Sequence, residues 1–268
     1  MELGAVDSFG VAWVLQTLEG WDSPEVRAEF TDRQADHGAW ASPVYLGARP
    51  ITLGGKIVAP SSALLQQAME RLRAAASLTD TVLTVAEEVP KQATVRRSGK
   101  PLLQFETDTV ATYSVMVTAA DPRRYETTLQ SATTGLPATT GGLTLPAAMP
   151  WTVSATSVSG QINAVNTGTI ATRPVFSISG PVQQPQVSVL TEDGTVRTLA
   201  YADTLGTGDV LVIDAGAHTV ALGAASRRRY LSGQWPEIPP ESSVMISFTA
   251  ASYDPSATLT AQWRSAWL

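Results

Sequence analysis

The amino-acid sequence predicts a mainly β protein of two domains, the first carrying one helix. Three observations carry that prediction. Apolar–polar alternations recur in short pieces along most of the 268 residues, one stretch switches to helical period, and a Thr-, Gly- and Pro-rich segment separates the two halves. With 44% hydrophobic residues, the chain can bury a core in each half.

In the first half, Val11, Trp13 and Leu15 recur at the period of a half-buried strand. "EVRAEFTD" (25–32) and "RPITLGGKIV" (49–58) continue as short β-prone pieces broken by Pro and Gly. The period then changes. In "SSALLQQAMERLRAAASL" (61–78), Leu64, Leu65, Ala68, Met69, Leu72 and Ala75 make an i, i+4 stripe behind a Ser suited to cap a helix, so this segment is expected to pack one face on a sheet. "TVLTVAEE" (81–88), "QATVRRSGKPLLQFETD" (92–108) and "VATYSVMVTAADPRRY" (110–125) read as a hairpin and a long following strand, with Tyr113, Val115 and Val117 on one face.

"TTLQSATTGLPATTGGLTLPAAMP" (127–150) has too little apolar surface for a core of its own. The expected organisation is a first domain over 1–130, an extended linker over 131–150 with the effective boundary near 145, and a second domain over 151–268.

Beyond Trp151, short strands recur at intervals of about ten residues, the spacing of a β-sandwich. They are "INAVN" (162–166), "PVFSISG" (174–180), "PQVSVLT" (185–191), "TVRTLAY" (195–201), "DVLVID" (209–214), "HTVAL" (218–222), "SVMISF" (243–248) and "ATLTAQWRSAWL" (257–268). "DGT" (193–195) is a hairpin turn with a mechanism, because Gly tolerates the positive φ such turns need.

The search for chemistry is short. The chain has no cysteine and only two histidines, His37 and His218, so neither disulfides nor a zinc site is supported. No G-x-S-x-G elbow presents a serine nucleophile. His218 stands four residues after Asp214, but it shares the expected strand face of Val220 and Leu222, which favours a structural histidine. Asp203, Asp209 and Asp214 fit no EF-hand spacing and fall where turns place aspartates. "LGTGD" (205–209) precedes no helix that a phosphate could sit on, so it reads as a turn. No catalytic, cofactor-binding or metal-ligating residue is therefore expected.

A net charge of −6 and a charged fraction of 16%, below the roughly 25% of average domains, argue against general nucleic-acid binding. The basic clusters Arg96–Arg97–Lys100, Arg123–Arg124 and Arg227–Arg228–Arg229 are short and loop-like, suiting solvated loops or an acidic neighbour. No run approaches the ~20 apolar residues of a membrane-spanning helix, and "MELGAVDSFG" lacks the features of a signal peptide, so no membrane insertion and no Sec-type export are expected. Trp151, Trp235, Trp263 and Trp267 fall in the second half; exposed Trp can stack on sugars, while Trp263 sits on the apolar face of its strand.

Ordered stretches of the second half resemble the C-terminal, galectin-like domain of distal tail proteins from long-tailed, non-contractile bacteriophages. They are "VNTGTIATRPVFSISGPVQQPQVSV" (165–189), "YADTLGTGDVLVIDAGAHTVALG" (201–223), "LSGQWPEIPPESSVMISF" (231–248) and "TLTAQWRSAW" (258–267). They keep the family's order: Asn-x-Gly-Thr, a Pro-led strand and Gly-Pro turn, a Gly-Asp strand ending Ile-Asp, and a Gly-x-Trp-Pro segment. "RPITLGGKIVAPSSALLQQAMERLRAA" (49–75) and "VTAADPRRY" (117–125) are similar to the family's ring-forming domain, a β-barrel-like, tail-tube-related fold with one helix. "TTGLPATTGGLTLP" (133–146) is similar to the linker of homologues from actinobacterial phages. One departure is local: where relatives often have Pro-Gly-x-Asn before the "SVMISF" strand, this chain has Pro240, Glu241, Ser242 and Ser243, which bears on the turn and not on the domain.

The resemblance implies a non-enzymatic virion component, a minor tail protein assembled in the host cytoplasm. Six copies would form a hexameric ring as a baseplate hub at the tail tip. Its expected partners are further copies of itself, the tail tube protein, and tail-tip hub, fibre or receptor-binding proteins, with DNA passing through the lumen without specific binding. Two rival classes are a carbohydrate-binding module gripping cell-wall glycan and a glycan hydrolase. The hydrolase would need facing carboxylates, for which Glu87 with Glu88 or Glu237 with Glu241 are the close pairs.

Overall fold

A computed structural model describes residues 1–141 and 155–268. It is mainly β, with one α-helix among the described residues. The chain divides into two compact units, Met1–Arg124 together with Leu268, and Tyr125–Trp267.

The first unit runs β1 (Ala12–Glu19), β2 (Val26–Arg27), β3 (Phe30–Asp32), β4 (Ala39–Ala41), β5 (Tyr45–Leu46), β6 (Arg49–Val58), α1 (Ser62–Ala75), β7 (Thr81–Val85), β8 (Lys91–Arg97), β9 (Leu102–Phe105) and β10 (Val110–Ala119). Its sheet is built on β6, which pairs antiparallel with β1 on one side and β10 on the other. Strand β10 also takes β8 and β9, and β7 and β8 form the expected hairpin.

Alternation decides which face is buried. Ala111, Tyr113, Val115, Val117 and Ala119 of β10 all point into the core with Ile51 and Ile57 of β6, and Met116 points out. Leu65, Ala68, Met69 and Leu72 of α1 join the same cluster, and each buried Leu contributes about 1.5–3 kcal/mol. Ser61 caps α1 as expected, its hydroxyl accepting from the Leu64 amide at 3.4 Å. Ala75 of the predicted stripe is exposed and Ala76 is buried instead, because the helix ends at Ala75.

Gly55 in β6 is required by its neighbours. A Cβ there would lie 1.9 Å from the Val14 carbonyl oxygen and 2.9 Å from the Tyr113 hydroxyl. The close approach accommodates a register shift in β1 between Leu15 and Thr17 and lets Tyr113 donate to Val14 O at 3.1 Å. Burial pushes the Tyr113 phenol up to about 12.

The second unit contains β11 (Arg124–Glu126, whose first residue closes the first unit), β12 (Gln130–Gly135), β13 (Ala138–Gly141), β14 (Ala155–Val158), β15 (Gln161–Asn166), β16 (Val175–Ser179), β17 (Val182–Gln183), β18 (Gln186–Thr191), β19 (Val196–Tyr201), β20 (Thr204–Leu205), β21 (Val210–Asp214), β22 (Thr219–Leu222), β23 (Ala225–Ser226), β24 (Leu231–Gly233), β25 (Ser242–Thr249), β26 (Thr258–Trp263) and β27 (Ala266–Trp267). One sheet has the order β12-β26-β16-β21-β22-β23 and the other β15-β25-β18-β19-β24. Their inner faces share one core: Phe176, Ile178, Leu211, Ile213, Leu259 and Trp263 come from the first sheet, and Ile162, Val187, Leu199, Val244, Ile246 and Phe248 from the second. This is the sandwich that the strand spacing predicts.

The expected linker is corrected in part. Gln130–Gly135 pairs along its whole length with β26, from Gln130 opposite Trp263 to Gly135 opposite Thr258, so the segment from 131 opens as an edge strand of the sandwich. The units divide at Arg124/Tyr125 rather than near 145. Composition concealed this, since an edge strand held by backbone hydrogen bonds and a Thr133–Thr260 hydroxyl contact at 2.8 Å needs little apolar surface. Residues 142–150 of the expected linker, and Trp151, lie outside the described residues.

Asn166 gives the Asn-x-Gly-Thr stretch its physical meaning. It is fully buried, and its amide donates to the Ile170, Ile238 and Pro239 carbonyls at 2.8, 3.2 and 3.0 Å. Its oxygen accepts from the Gly168 and Ala266 amides at 3.0 and 3.2 Å. Gly168 passes so close to the last strand that a Cβ would lie 1.8 Å from Ala266 O. One side chain thus ties three loops together.

The Pro240–Ser243 stretch forms a strained turn. Glu241, at the position where the resemblance expects Gly, adopts φ 48, the left-handed conformation that glycine accepts without strain. Its amide donates to Gly168 O at 3.0 Å, which ties this strained turn to the Asn-x-Gly-Thr loop.

Candidate functional site

The Asp214–His218 stretch builds a turn. Asp214 ends β21, and its Oδ1 accepts from the Gly216 and Ala217 amides, both at 2.8 Å. His218 lies outside the strand face expected for it: it closes the turn at φ 56, exposed, with its ring stacked on Trp235 at 4.8 Å and 13°. The reason is the four-residue connection between Asp214 and its partner Thr219, which places His218 before β22 begins.

The other aspartates cap backbone amides. Asp203 Oδ1 accepts from Thr204 N and Asp209 Oδ2 from Gly206 N, both at 2.8 Å, which makes "LGTGD" the turn its composition suggests. The "DGT" turn has Gly194 at φ 84, with Asp193 accepting from Thr195 N at 2.9 Å. Among the described residues, no group of three His, Asp or Glu side chains is gathered as a metal site would require.

One glutamate of each pair considered for hydrolysis is held by a cation. Glu87 accepts from the Trp21 indole and Lys91 ammonium, with Arg124 at 3.6 Å. Burial opposes its ionisation, but these donors hold its carboxyl below the usual range, the opposite of a general acid. Glu237 pairs with Arg173 at 2.8 Å. Asp7 is similar: against the opposing effect of burial, hydrogen bonds from Trp13 Nε1, the Val11 and Phe9 amides and Arg71 hold it at about 2.

The feature that lacks a structural explanation within its own unit is the segment 25–47. It forms a two-stranded ribbon, with Val26–Arg27 on Tyr45–Leu46 and Phe30–Asp32 on Ala39–Ala41, closed by Arg33 N to Gly38 O at 3.1 Å. Both faces are open to solvent. Phe30 is 67% exposed, Trp40 66% and Tyr45 62%, and Val26 and Val44 are exposed too. Arg33 lies over the Trp40 ring at 4.5 Å, and His37 sits near the tip. An isolated ribbon of this kind is marginal in water, and large exposed apolar side chains on one element mark an interaction surface.

The ribbon's root, by contrast, is rigid. Arg49, with no exposed surface, donates to Pro122 O at 2.8 Å, to Gly20 O at 3.3 Å and to the Trp21 carbonyl. Burial and the neighbouring Arg124 push its guanidinium down to about 10. Sequence reading takes "EVRAEFTD" as ordinary strand and passes over Phe30, Trp40 and Tyr45. The available signal was the Asp36–His37–Gly38 turn between apolar residues that follow no buried-face alternation.

No protein-family model and no curated protein matches the chain. Among solved structures, it resembles the Dit protein of phage SPP1, described as a paradigm of the hub adsorption apparatus in phages infecting Gram-positive bacteria. The TM-score is 0.64 at 12% identity, covering 95% of this chain and 93% of that one. A chain of the phage P2 baseplate in its activated conformation with calcium aligns at TM-score 0.47 and 8% identity, covering 93% of each chain. The chain therefore has the fold of SPP1 Dit; at 12% identity the likeness is one of fold.

Proposed function

We propose that this protein is a structural component of a long, non-contractile phage tail tip. It is read as a distal tail hub whose copies, six in the expected ring, join the tail tube to the host-recognition apparatus. The observation that carries the reading is the exposed aromatic ribbon 25–47, rigidly rooted by Arg49, on a chain with the fold of SPP1 Dit. A ribbon with unburied Phe30, Trp40 and Tyr45 finds its missing core on a neighbouring copy, and a closed ring leaves no ribbon unpaired. The second unit projects outward as a galectin-like sandwich. The protein acts without catalysis: its turn aspartates cap amides, and Glu87 and Glu237 are engaged by cations.

Six copies carry a formal charge of −36 (6 × −6), and acidic groups lining the lumen would let DNA pass without sticking. Negative-stain electron microscopy of the purified chain is expected to show rings with a central hole. The double substitution Phe30→Ser/Trp40→Ser is expected to leave folded monomers with an unchanged circular dichroism spectrum. A native chain that stays monomeric, both alone and when mixed with its tail tube protein, would overturn the reading. Rings that persist in the double variant would remove the ribbon from the interface.

A further inference from the structure

A second surface, in the sandwich, has a different chemistry. The second unit is acidic, with nine carboxylates against six arginines and no lysine. Two of the arginines have evident structural work: Arg173 pairs with Glu237 at 2.8 Å, and Arg264 donates to the Glu126 carbonyl at 3.0 Å and to that of Thr127. The other four, Arg197, Arg227, Arg228 and Arg229, gather in one place. None has a carboxylate within ion-pair distance among the described residues.

Aromatic rings hold this cluster together. Arg228 lies over Trp235 at 5.1 Å, and His218 stacks on the same ring at 4.8 Å. Arg229 and Arg227 lie over Tyr230 at 4.6 and 5.7 Å, and Tyr230 meets Tyr201 edge-on at 6.1 Å. Arg197 reaches the Trp235 carbonyl at 3.5 Å, Arg228 the Leu231 carbonyl at 2.9 Å, and Arg229 the Tyr230 hydroxyl at 2.7 Å. Trp235 and Tyr230 are themselves packed against the sandwich core, so the guanidiniums stand on a rigid base. Stacking fixes each guanidinium plane and leaves its N–H edge free to donate.

Two features distinguish this from a chance surface run. Four like charges in one cluster repel one another, yet the carboxylates beside Tyr201, Asp203 and Asp209, each turn one oxygen to a backbone amide, Thr204 or Gly206, and neither pairs with an arginine of the cluster among the described residues. Within the cluster, Arg227 Nε and the Tyr201 hydroxyl are buried with no hydrogen-bond partner among the described residues, a costly arrangement.

We propose that the patch formed by Arg197, Arg227, Arg228, Arg229, His218 and Trp235 binds a phosphodiester-linked polymer of polyol or sugar units. Guanidinium forks match the oxygens of a phosphate. Forks standing on two separate rings suit a tetrahedral group, which accepts on several sides, better than a planar carboxylate does. The exposed edges of His218 and Trp235 offer the apolar contact a sugar or polyol backbone needs. The patch uses no residue of the ribbon, so its binding is read separately from the ring test.

The test is binding of the full-length chain to immobilised poly(glycerol phosphate), polygalacturonate and dextran, measured by biolayer interferometry over a salt series. Binding to poly(glycerol phosphate) is expected to be at least tenfold tighter than to polygalacturonate, absent on dextran, and weakened by salt. The exposed pair Arg228→Gln/Arg229→Gln is expected to lose at least tenfold, while Arg73→Gln on α1, which removes a positive charge elsewhere, leaves binding unchanged. Equal affinity for the carboxylate polymer would overturn the assignment to phosphate. Absence of binding to all three polymers would overturn the site, and so would equal losses in the double variant and Arg73→Gln.

Discussion

The ribbon 25–47 and the sandwich of the second unit are made of similar residues and meet opposite fates. Both are rich in aromatic and β-branched side chains, and both are antiparallel. In the sandwich, Phe176 and Ile178 alternate with half-exposed neighbours, and each reaches a core built by two facing sheets. In the ribbon, Phe30, Trp40 and Tyr45 have no second layer over them. Apolar character therefore says that a residue will be buried somewhere, while periodicity says whether its own unit does the burying.

The sharpest way to break the comparison is truncation on each side of it. Phe176→Ala in the sandwich is expected to cost about 3–5 kcal/mol, read from denaturant melts as a large fall in midpoint. Trp40→Ala in the ribbon is expected to stay within about 0.5 kcal/mol for the monomer. Comparable losses at the two positions would mean that the ribbon is packed after all.

Asn166 tests whether a polar residue anchors the sandwich as firmly as an apolar one. Asn166→Ala removes the partner of the Ile170 and Pro239 carbonyls and of the Gly168 and Ala266 amides, while Ile238 O keeps the Thr172 amide, and a loss of about 3 kcal/mol is expected. A loss below about 1 kcal/mol would show that those loops are held by other contacts. At Glu241, with φ 48, the direction reverses: Glu241→Gly is expected to raise stability by about 1 kcal/mol by releasing left-handed strain. Unchanged or lowered stability would contradict that account.

The smallest effect lies in the first unit and depends on pH. The Asp7 carboxyl is held at about 2, below its unfolded value, so its contribution is present above about pH 4 and is lost as pH falls toward 2. Asp7→Asn is therefore expected to flatten the acid limb of the stability profile between those values, as followed by thermal melts. A steeper limb in the variant would reverse the sign of the argument.

Much of the architecture was legible. The helix shows its period and its Ser cap, β10 its alternation, and the sandwich its turns, among them Asp193–Gly194. These rest on contacts between residues close in sequence or on a two-residue alternation. Three features were not legible. His218 fell outside its expected strand because a turn length, and not polarity, sets where β22 starts. The strand Gln130–Gly135 was hidden because a backbone ladder leaves little trace in composition. The arginine–aromatic cluster draws Arg197, His218, Arg228 and Trp235 from four separate segments.

By itself the sequence determined a mainly β chain with one capped helix, two regions and few candidate groups for chemistry, because propensity and periodicity act over short spans. Only the tertiary structure decided that Arg49 roots the ribbon, that Phe30 and Trp40 stay uncovered, and that four arginines meet with no carboxylate paired to them among the described residues. Each of those facts depends on which distant segments come together, and on where a hydrophobic side chain or a charge is left without a partner once they have.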